Sequence, residues 1–233
     1  LGFIYADGSI RKDCPLLSVG LQKRDKNHLE DLQRFFDAGT IAERKLYYNY
    51  TLYSKSIVPK LIKLGVVSRK TYENSASIFT NIDNHLKQHF IRGFFDGDGT
   101  IGIYRNRAQF GFVSLNNDLL TSISSYLSNE LNLDRLPYYD TKYTRLVYTG
   151  NPSAYAFGQL IYNNCNVYMS RKKDIFDRIT KIIRITFDQL NEIKQSKLST
   201  YKLAKEYGVS NSYIWHVKQG NVKGEYHEYQ LAK

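Results

Sequence analysis

The apolar positions of this chain alternate between helical and strand-like periods, and the order of the switches occurs twice. In Leu1-Gly-Phe-Ile-Tyr-Ala-Asp-Gly-Ser-Ile10, Gly2 and Ala6 lie four apart beside bulky Phe3 and Ile4. That spacing predicts a helix with one flat face. Next, Leu17, Val19 and Leu21 alternate with Ser18, Gly20 and Gln22, which predicts a half-buried strand. Asp25 to Phe36 reads as an amphipathic helix with an Asp N-cap. Leu46 to Tyr53 alternates again, with Tyr47, Asn49, Thr51 and Tyr53 on its polar side, and Pro59 to Leu64 starts a helix that ends at Gly65.

The second pass begins at Ile91-Arg-Gly-Phe-Phe-Asp-Gly-Asp-Gly-Thr-Ile101. Gly2, Asp7, Gly8 and Ile10 recur as Gly93, Asp98, Gly99 and Ile101, always 91 residues later. Strands follow around Ile101 and Ile103 and from Gln109 to Ser114. Then come a helix from Asn117 to Leu131, a strand from Tyr143 to Thr149 and a helix from Pro152 to Tyr162. Gly20 and Gly111, and Leu29 and Leu120, keep the same spacing. The pattern predicts two related α+β halves, residues 1–84 and 85–182. From about residue 183 the pattern becomes helical and polar, which marks a third unit, 183–233.

The two motif helices pack most simply against each other, because small residues at i and i+4 let backbones approach closely. Each ends at Asp-Gly, where Gly is suited to stop a helix. Asp7 and Asp98 then sit at helix C-termini, where the dipole already disfavours a carboxylate. If the helices are parallel, the two carboxylates also repel. A cation must compensate, and two carboxylates with main-chain carbonyls at Ala6 and Gly97 form an all-oxygen site suited to Mg²⁺. An EF-hand reading of Asp96-Gly-Asp-Gly-Thr-Ile fails, because loop positions one and twelve would be Phe94 and Arg105. The first copy fails in the same way, with Phe3 and Cys14.

Composition adds the partner. Net charge is +11, with 20 Tyr and 12 Phe in 233 residues. A chain this basic and aromatic predicts a nucleic-acid partner. Two cysteines, Cys14 and Cys165, make neither a disulfide framework nor a CxxC metal site, which fits a reducing compartment. No run is long and apolar enough to predict a membrane span or a signal peptide. The chain starts inside its first motif without Met, which predicts a missing N-terminal piece. The strand faces turned from the core carry Arg11, Arg24, Asn49, Tyr53, Tyr104, Arg105, Arg107 and Arg145. Such a face suits a major groove, with Arg reading guanine and Asn or Gln adenine.

In the third unit, Thr200-Tyr-Lys-Leu-Ala-Lys-Glu-Tyr-Gly-Val-Ser-Asn-Ser-Tyr-Ile-Trp-His-Val217 has helix-turn-helix spacing. Leu203, Ala204, Val209, Ile214 and Val217 supply its core and Gly208 the turn. It resembles the helix-turn-helix class, which implies base and phosphate contacts from Asn211, Ser212, Tyr213, His216 and Lys218.

The motif pair itself resembles the signature of LAGLIDADG homing endonucleases, the second copy closely. The resemblance covers roughly residues 1–180. It implies a monomer of two pseudo-symmetric αββαββα halves that form a saddle on double-stranded DNA. It also implies cleavage of both strands of a long, non-palindromic target with Mg²⁺ or Mn²⁺, Asp7 and Asp98 holding the metal. Lys55, after the polar strand face, matches a basic position near the transition-state charge, and Gln22 a polar position that orients water. Their counterparts, near Asn151 and at Val113, are not equivalent, so the halves are expected to cut unequally. Two alternatives share the scaffold: a non-cleaving DNA-binding regulator, and a maturase that binds intron RNA. All three readings imply an intracellular protein, in a bacterial or phage-infected cytoplasm or an organelle.

Overall fold

The computed structural model describes residues 1–66, 77–182 and 187–219. Each half is a helix, a two-stranded hairpin, a second helix and a second strand pair, followed by further helices. In the first half these are α1 (Gly2–Asp7), β1 (Gly8–Ile10), β2 (Leu16–Gln22), α2 (Lys26–Phe36), β3 (Thr40–Glu43), β4 (Tyr47–Tyr53), α3 (Ile57–Lys63) and the short α4 (Ser77–Thr80). In the second they are α5 (Asn84–Asp98), β5 (Gly99–Tyr104), β6 (Arg107–Ser114), α6 (Asn117–Leu131), β7 (Tyr138–Asp140), β8 (Tyr143–Thr149), α7 (Asn151–Tyr162) and α8 (Ser170–Ile182). Both sheets are antiparallel, with orders β1-β2-β4-β3 and β5-β6-β8-β7. The alternation expected from the sequence is present: Leu17, Val19 and Leu21 are buried, Gly20 and Gln22 exposed. The edge strands β3 and β7 complete the αββαββα order that the resemblance implies, though the sequence pattern assigns no residues to them, and α8 lies beyond that order.

One core runs through both halves, because α1 and α5 pack directly on each other. The small residues are essential here. A Cβ added at Gly2 would lie 2.0 Å from the Phe90 carbonyl oxygen, and one at Gly93 2.6 Å from the Phe3 nitrogen. The pairing advances together, Gly2 on Phe90 and Gly97 on Ala6, so the helices are parallel. The terminal glycines end the helices as expected, but without a left-handed conformation. Gly8 and Gly99 are extended, with φ −75° at each, and carry each helix straight into a strand.

The equal spacing of the halves conceals a register shift. Gly8 pairs with Val19 and Val19 with Tyr50, whereas Gly99 pairs with Phe112 and Phe112 with Leu146. The second hairpin is therefore two residues longer. A 3-10 turn at Lys23–Asp25 in the first half restores the spacing before α2. Gly20 thus corresponds to Val113, and Gln22 to Leu115 rather than to Val113.

The helices α9 (Phe187–Gln195), α10 (Thr200–Tyr207) and α11 (Asn211–Lys218) surround a separate small core of Ile193, Leu203, Ala204, Ile214 and Val217. Gly208 takes φ +65° between α10 and α11, and Ser199 and Ser210 cap the two helices. No helix among the described residues is long and apolar enough to cross a membrane.

Candidate active site

Asp7 and Asp98 end two parallel helices that stay in close contact up to those ends. A Cβ on Gly97 would lie 2.3 Å from Ala6 Cβ and 3.0 Å from Asp7 Oδ2. The Asp7 carboxylate therefore lies against the Gly97 backbone, next to Asp98. Asp7 is half-buried and Asp98 exposed. The donor set is all oxygen, and no group of three or more His, Cys, Asp or Glu side chains assembles among the described residues. Two carboxylates fit Mg²⁺, which keeps several waters and takes its remaining ligands from phosphate.

The charge that the sequence argument required is supplied in part by a residue it did not find. Lys172 on α8 is 2% exposed, and its Nζ, with three N–H donors, lies within hydrogen-bond distance of four carbonyl oxygens at the end of α5. The distances are 2.5 Å to Phe95, 2.8 Å to Asp96, 3.1 Å to Gly97 and 2.6 Å to Gly99. An ammonium at a helix C-terminus opposes the negative end of the dipole. Burial, with the neighbouring Arg171 charge, pulls this lysine down to about 8 against the attraction of Asp96, Asp7 and Asp98. The Gly97 carbonyl expected to face a cation thus already accepts from Lys172. A sequence signal existed: Ser-Arg-Lys occurs at 170–172 and also at 68–70, the latter outside the described residues.

Beneath the site, the Tyr162 hydroxyl donates to Asp96 Oδ1 at 2.6 Å. Burial pushes the Asp96 carboxyl up to about 6, against that hydrogen bond and the Lys172 charge. Beside Lys172, Arg171 Nε donates to both carboxylate oxygens of Asp25, at 3.1 Å each. Asp25 is the N-cap residue of α2, but its side chain makes no cap hydrogen bond. Two consecutive side chains of α8 therefore hold one half each.

Lys55 is not brought to this point. It lies in the turn beyond β4, five residues past Tyr50, and Tyr50 is level with Gly8. At the rise of a strand that is on the order of 15 Å from Asp7. Its counterpart Asn151 stitches the hairpin instead, donating to Asn106 O at 2.8 Å and accepting from Ala108 N at 2.7 Å. Gln22 is exposed and pairs with Tyr47, on the Asp7 side of the sheet. Beside Asp98 the equivalent space is a cavity of about 360 Å³ lined by Tyr5, Val113, Leu115 and Tyr143, among others.

The expected strand-face residues divide. Asn49 and Tyr53 lie on the polar side of β4, Tyr104 ends β5, and Arg107 begins β6. Arg11 follows β1, and Arg105 sits in the hairpin turn with φ +49°. Arg24 is not on a strand but in the 3-10 turn, exposed. Arg145 is on the open face but pairs with Asp140, 2.6 Å from Nε to Oδ2. In α11, Asn211, Ser212 and His216 are exposed and Tyr213 is partly buried on the small core. Lys218 is turned inward, donating to the carbonyls of Ser196 at 2.8 Å and Leu198 at 2.5 Å.

No protein-family model matches the chain. An aligned region 137 positions long, covering 54% of the chain, is 27% identical to a DNA polymerase of Methanocaldococcus jannaschii and spans only 8% of that protein. Solved structures are similar over nearly the whole length. A point mutant of the meganuclease I-SmaMI superposes with TM-score 0.54 at 17% identity, over 96% of this chain and 98% of that one. The LAGLIDADG meganuclease I-AabMI, bound to uncleaved DNA, gives 0.53 at 13% identity over 96% and 98%. The LAGLIDADG homing endonuclease I-GzeII, in complex with its DNA target, gives 0.50 at 16% identity over 94% and 95%. The chain has the fold of the LAGLIDADG homing endonucleases.

Proposed function

We propose that this LAGLIDADG-fold chain is a monomeric, intracellular, site-specific homing endonuclease. It makes a double-strand break in a long, non-palindromic DNA target by divalent-metal-dependent hydrolysis. The observation that carries the reading is the meeting of Asp7 and Asp98 at one end of two parallel helices, with the Lys172 ammonium behind them. Repelling carboxylates at negative helix ends are costly unless cations offset them, and a divalent cation held there would in turn attract phosphate.

In this mechanism Asp7 and Asp98 would hold Mg²⁺, with the Ala6 carbonyl beside them. When bound, the metal supplies Lewis acidity to the scissile phosphate and lowers the pKa of water. Lys172 offsets charge at the end of α5 and fixes the backbone that carries Asp98. Gln22 orients water on the Asp7 side. The polar faces of the two sheets lie along the major groove, and cations at their margins hold phosphate. The helix-turn-helix unit, residues 183–233, adds a second contact to the duplex through the exposed face of α11.

The test incubates the wild type and Asp98→Asn with duplexes selected from a randomised library, with Mg²⁺. Cleavage by the wild type alone, with binding by both, supports the endonuclease. Binding without cleavage by either points to a regulator on the same scaffold. Preferential binding of structured RNA points to a maturase.

A further inference from the structure

We infer that the second half of the chain recognises thymine by its 5-methyl group, while the first half reads its part of the site with hydroxyls and an amide. The inference rests on the DNA-binding reading above and concerns which bases the two sheets select.

The register defines equivalent rows on the two sheets. Level with Asp7 and just beyond it, the first sheet presents Gly20, Asn49, Ser18 and Thr51, with Gly20 paired to Asn49 and Ser18 to Thr51. Thr51 Oγ1 also lies 3.0 Å from Thr40 Oγ1 on the edge strand. At the equivalent positions the second sheet presents Val113, Arg145, Gly111 and Val147, with Val113 paired to Arg145 and Gly111 to Val147. Ser18, Asn49 and Thr51 have become Gly111, Arg145 and Val147, and Val113 stands where the first sheet has Gly20.

The valines are not core residues that strayed. Val147 lies between Leu146 and Tyr148, which are 0% and 2% exposed, so its own side chain points to the opposite, open face. Val113 follows fully buried Phe112 and is itself partly exposed. Nothing covers Val147 from β6, because Gly111 is opposite it. A Cβ at Gly111 would lie 2.4 Å from the Leu146 carbonyl oxygen, so no side chain fits there. Val113 and Val147 are diagonal neighbours across the strand pair, close enough to form one apolar window. The charged group that shares the row, Arg145, has its Nε in an ion pair with Asp140 at 2.6 Å.

In the major groove only thymine offers an apolar group, its 5-methyl. The two valine side chains offer neither donor nor acceptor, so the edge of guanine or adenine set against them would lose water unpaired, although Arg145 and Thr100 border the window. It accepts the methyl at a gain of about fourfold in affinity for each CH₂-sized group buried. In the first half, Asn49 can pair bidentately with adenine, and the small hydroxyls discriminate little.

The test starts with duplexes selected by the full-length chain from a randomised library. Each selected thymine is then replaced by deoxyuridine, which deletes only the methyl. The expected result is one or two thymines in one half-site whose replacement weakens binding about fourfold each. Val147→Ala and Val113→Ala are expected to shrink that ratio toward one, while Thr51→Ala leaves it unchanged. Equal affinity for thymine and deoxyuridine throughout overturns the inference and leaves DNA binding standing. So does a ratio that the valine substitutions do not alter. A chain that binds no duplex overturns the DNA-binding reading and the inference together.

Discussion

Lys172 Nζ lies 3.1 Å from the carbonyl oxygen of Gly97, the residue whose backbone meets the Asp7 side chain. One buried ammonium thus touches the strand of backbone between both acidic ends. Lys172→Met leaves four carbonyls without their donor at a point where two carboxylates already gather. The expected outcome is a fall in cleavage rate of about 10²-fold or more at saturating DNA. DNA affinity should stay within about threefold, because the side chain is buried away from the groove. Single-turnover cleavage alongside equilibrium binding checks both. Lys172→Arg, a planar fork that cannot converge on four carbonyls, should restore little.

Gly97→Ala tests the helix contact directly. The new methyl would press on Ala6 Cβ and on Asp7 Oδ2. Overpacking of this kind costs about 1–3 kcal/mol. The helices must separate or Asp7 must rotate away. Both a lower unfolding midpoint in urea and a loss of metal-dependent cleavage are expected. Ala6→Gly in the same chain should recover part of each, since it removes the facing Cβ.

These two positions show what the sequence made readable. Gly93 and Gly97, Gly2 and Ala6 declare a close helix pair because only small residues at that spacing permit it. The long strands were legible because one face of each is core. The edge strands β3 and β7 were not, since they have four and three residues and exist through pairing with β4 and β8. Nor was α8: Arg171, Lys172, Lys173, Asp174 and Asp177 outweigh the apolar Ile175, Phe176 and Ile179. A lysine in such company reads as solvated, and only the fold shows that it ends beneath α5. The register shift was concealed because the Lys23–Asp25 turn compensates it within a few residues.

The two strands of the target are expected to be cut at different rates. Gln22 is available on the Asp7 side, whereas its register equivalent beside Asp98 is Leu115, in a space also lined by Val113, Ser114, Asn116 and Tyr143. An amide can hold an attacking water, and an isobutyl group cannot. Strand-specific labels on one duplex should report rates that differ on the order of tenfold or more. Leu115→Gln should narrow the ratio by raising the slower rate, and Gln22→Leu should narrow it by lowering the faster. Equal rates in the wild type would contradict this account.

His28 should make the fold sensitive to mild acid. It is buried edge-on to Phe3 at 4.2 Å between ring centroids, with Asp31 3.9 Å from Nδ1. Burial lowers its pKa below the ordinary 6.5, and Lys172 adds to that, while Asp31 and Asp25 partly oppose it. The unfolded chain then binds the proton more readily than the folded one. Stability from this residue is complete above pH 6.5 and declines as pH falls toward the lowered value. Urea midpoints measured at pH 7.5 and 5.5 should fall more in the wild type than in His28→Leu. An identical fall in both would remove His28 as the cause.

The C-terminal helices form a core of their own, so their contribution to binding can be separated from the chemistry. Ile193 packs with Leu203, Ala204, Ile214 and Val217, and none of these belongs to the core of the two halves. Removing residues 190–233 should therefore leave the main fold and its cation site intact. A tethered second reader raises effective concentration, and overall affinity can exceed that of one module by about 10²–10⁴. Truncation should weaken specific binding within that range and shorten the footprint at one end. The cleavage rate at saturating protein should be unchanged. Because Lys218 is spent on the Ser196 and Leu198 carbonyls, His216→Ala should weaken binding more than Lys218→Ala does at equal stability. A full-length footprint from the truncated chain would remove the C-terminal helices from DNA recognition.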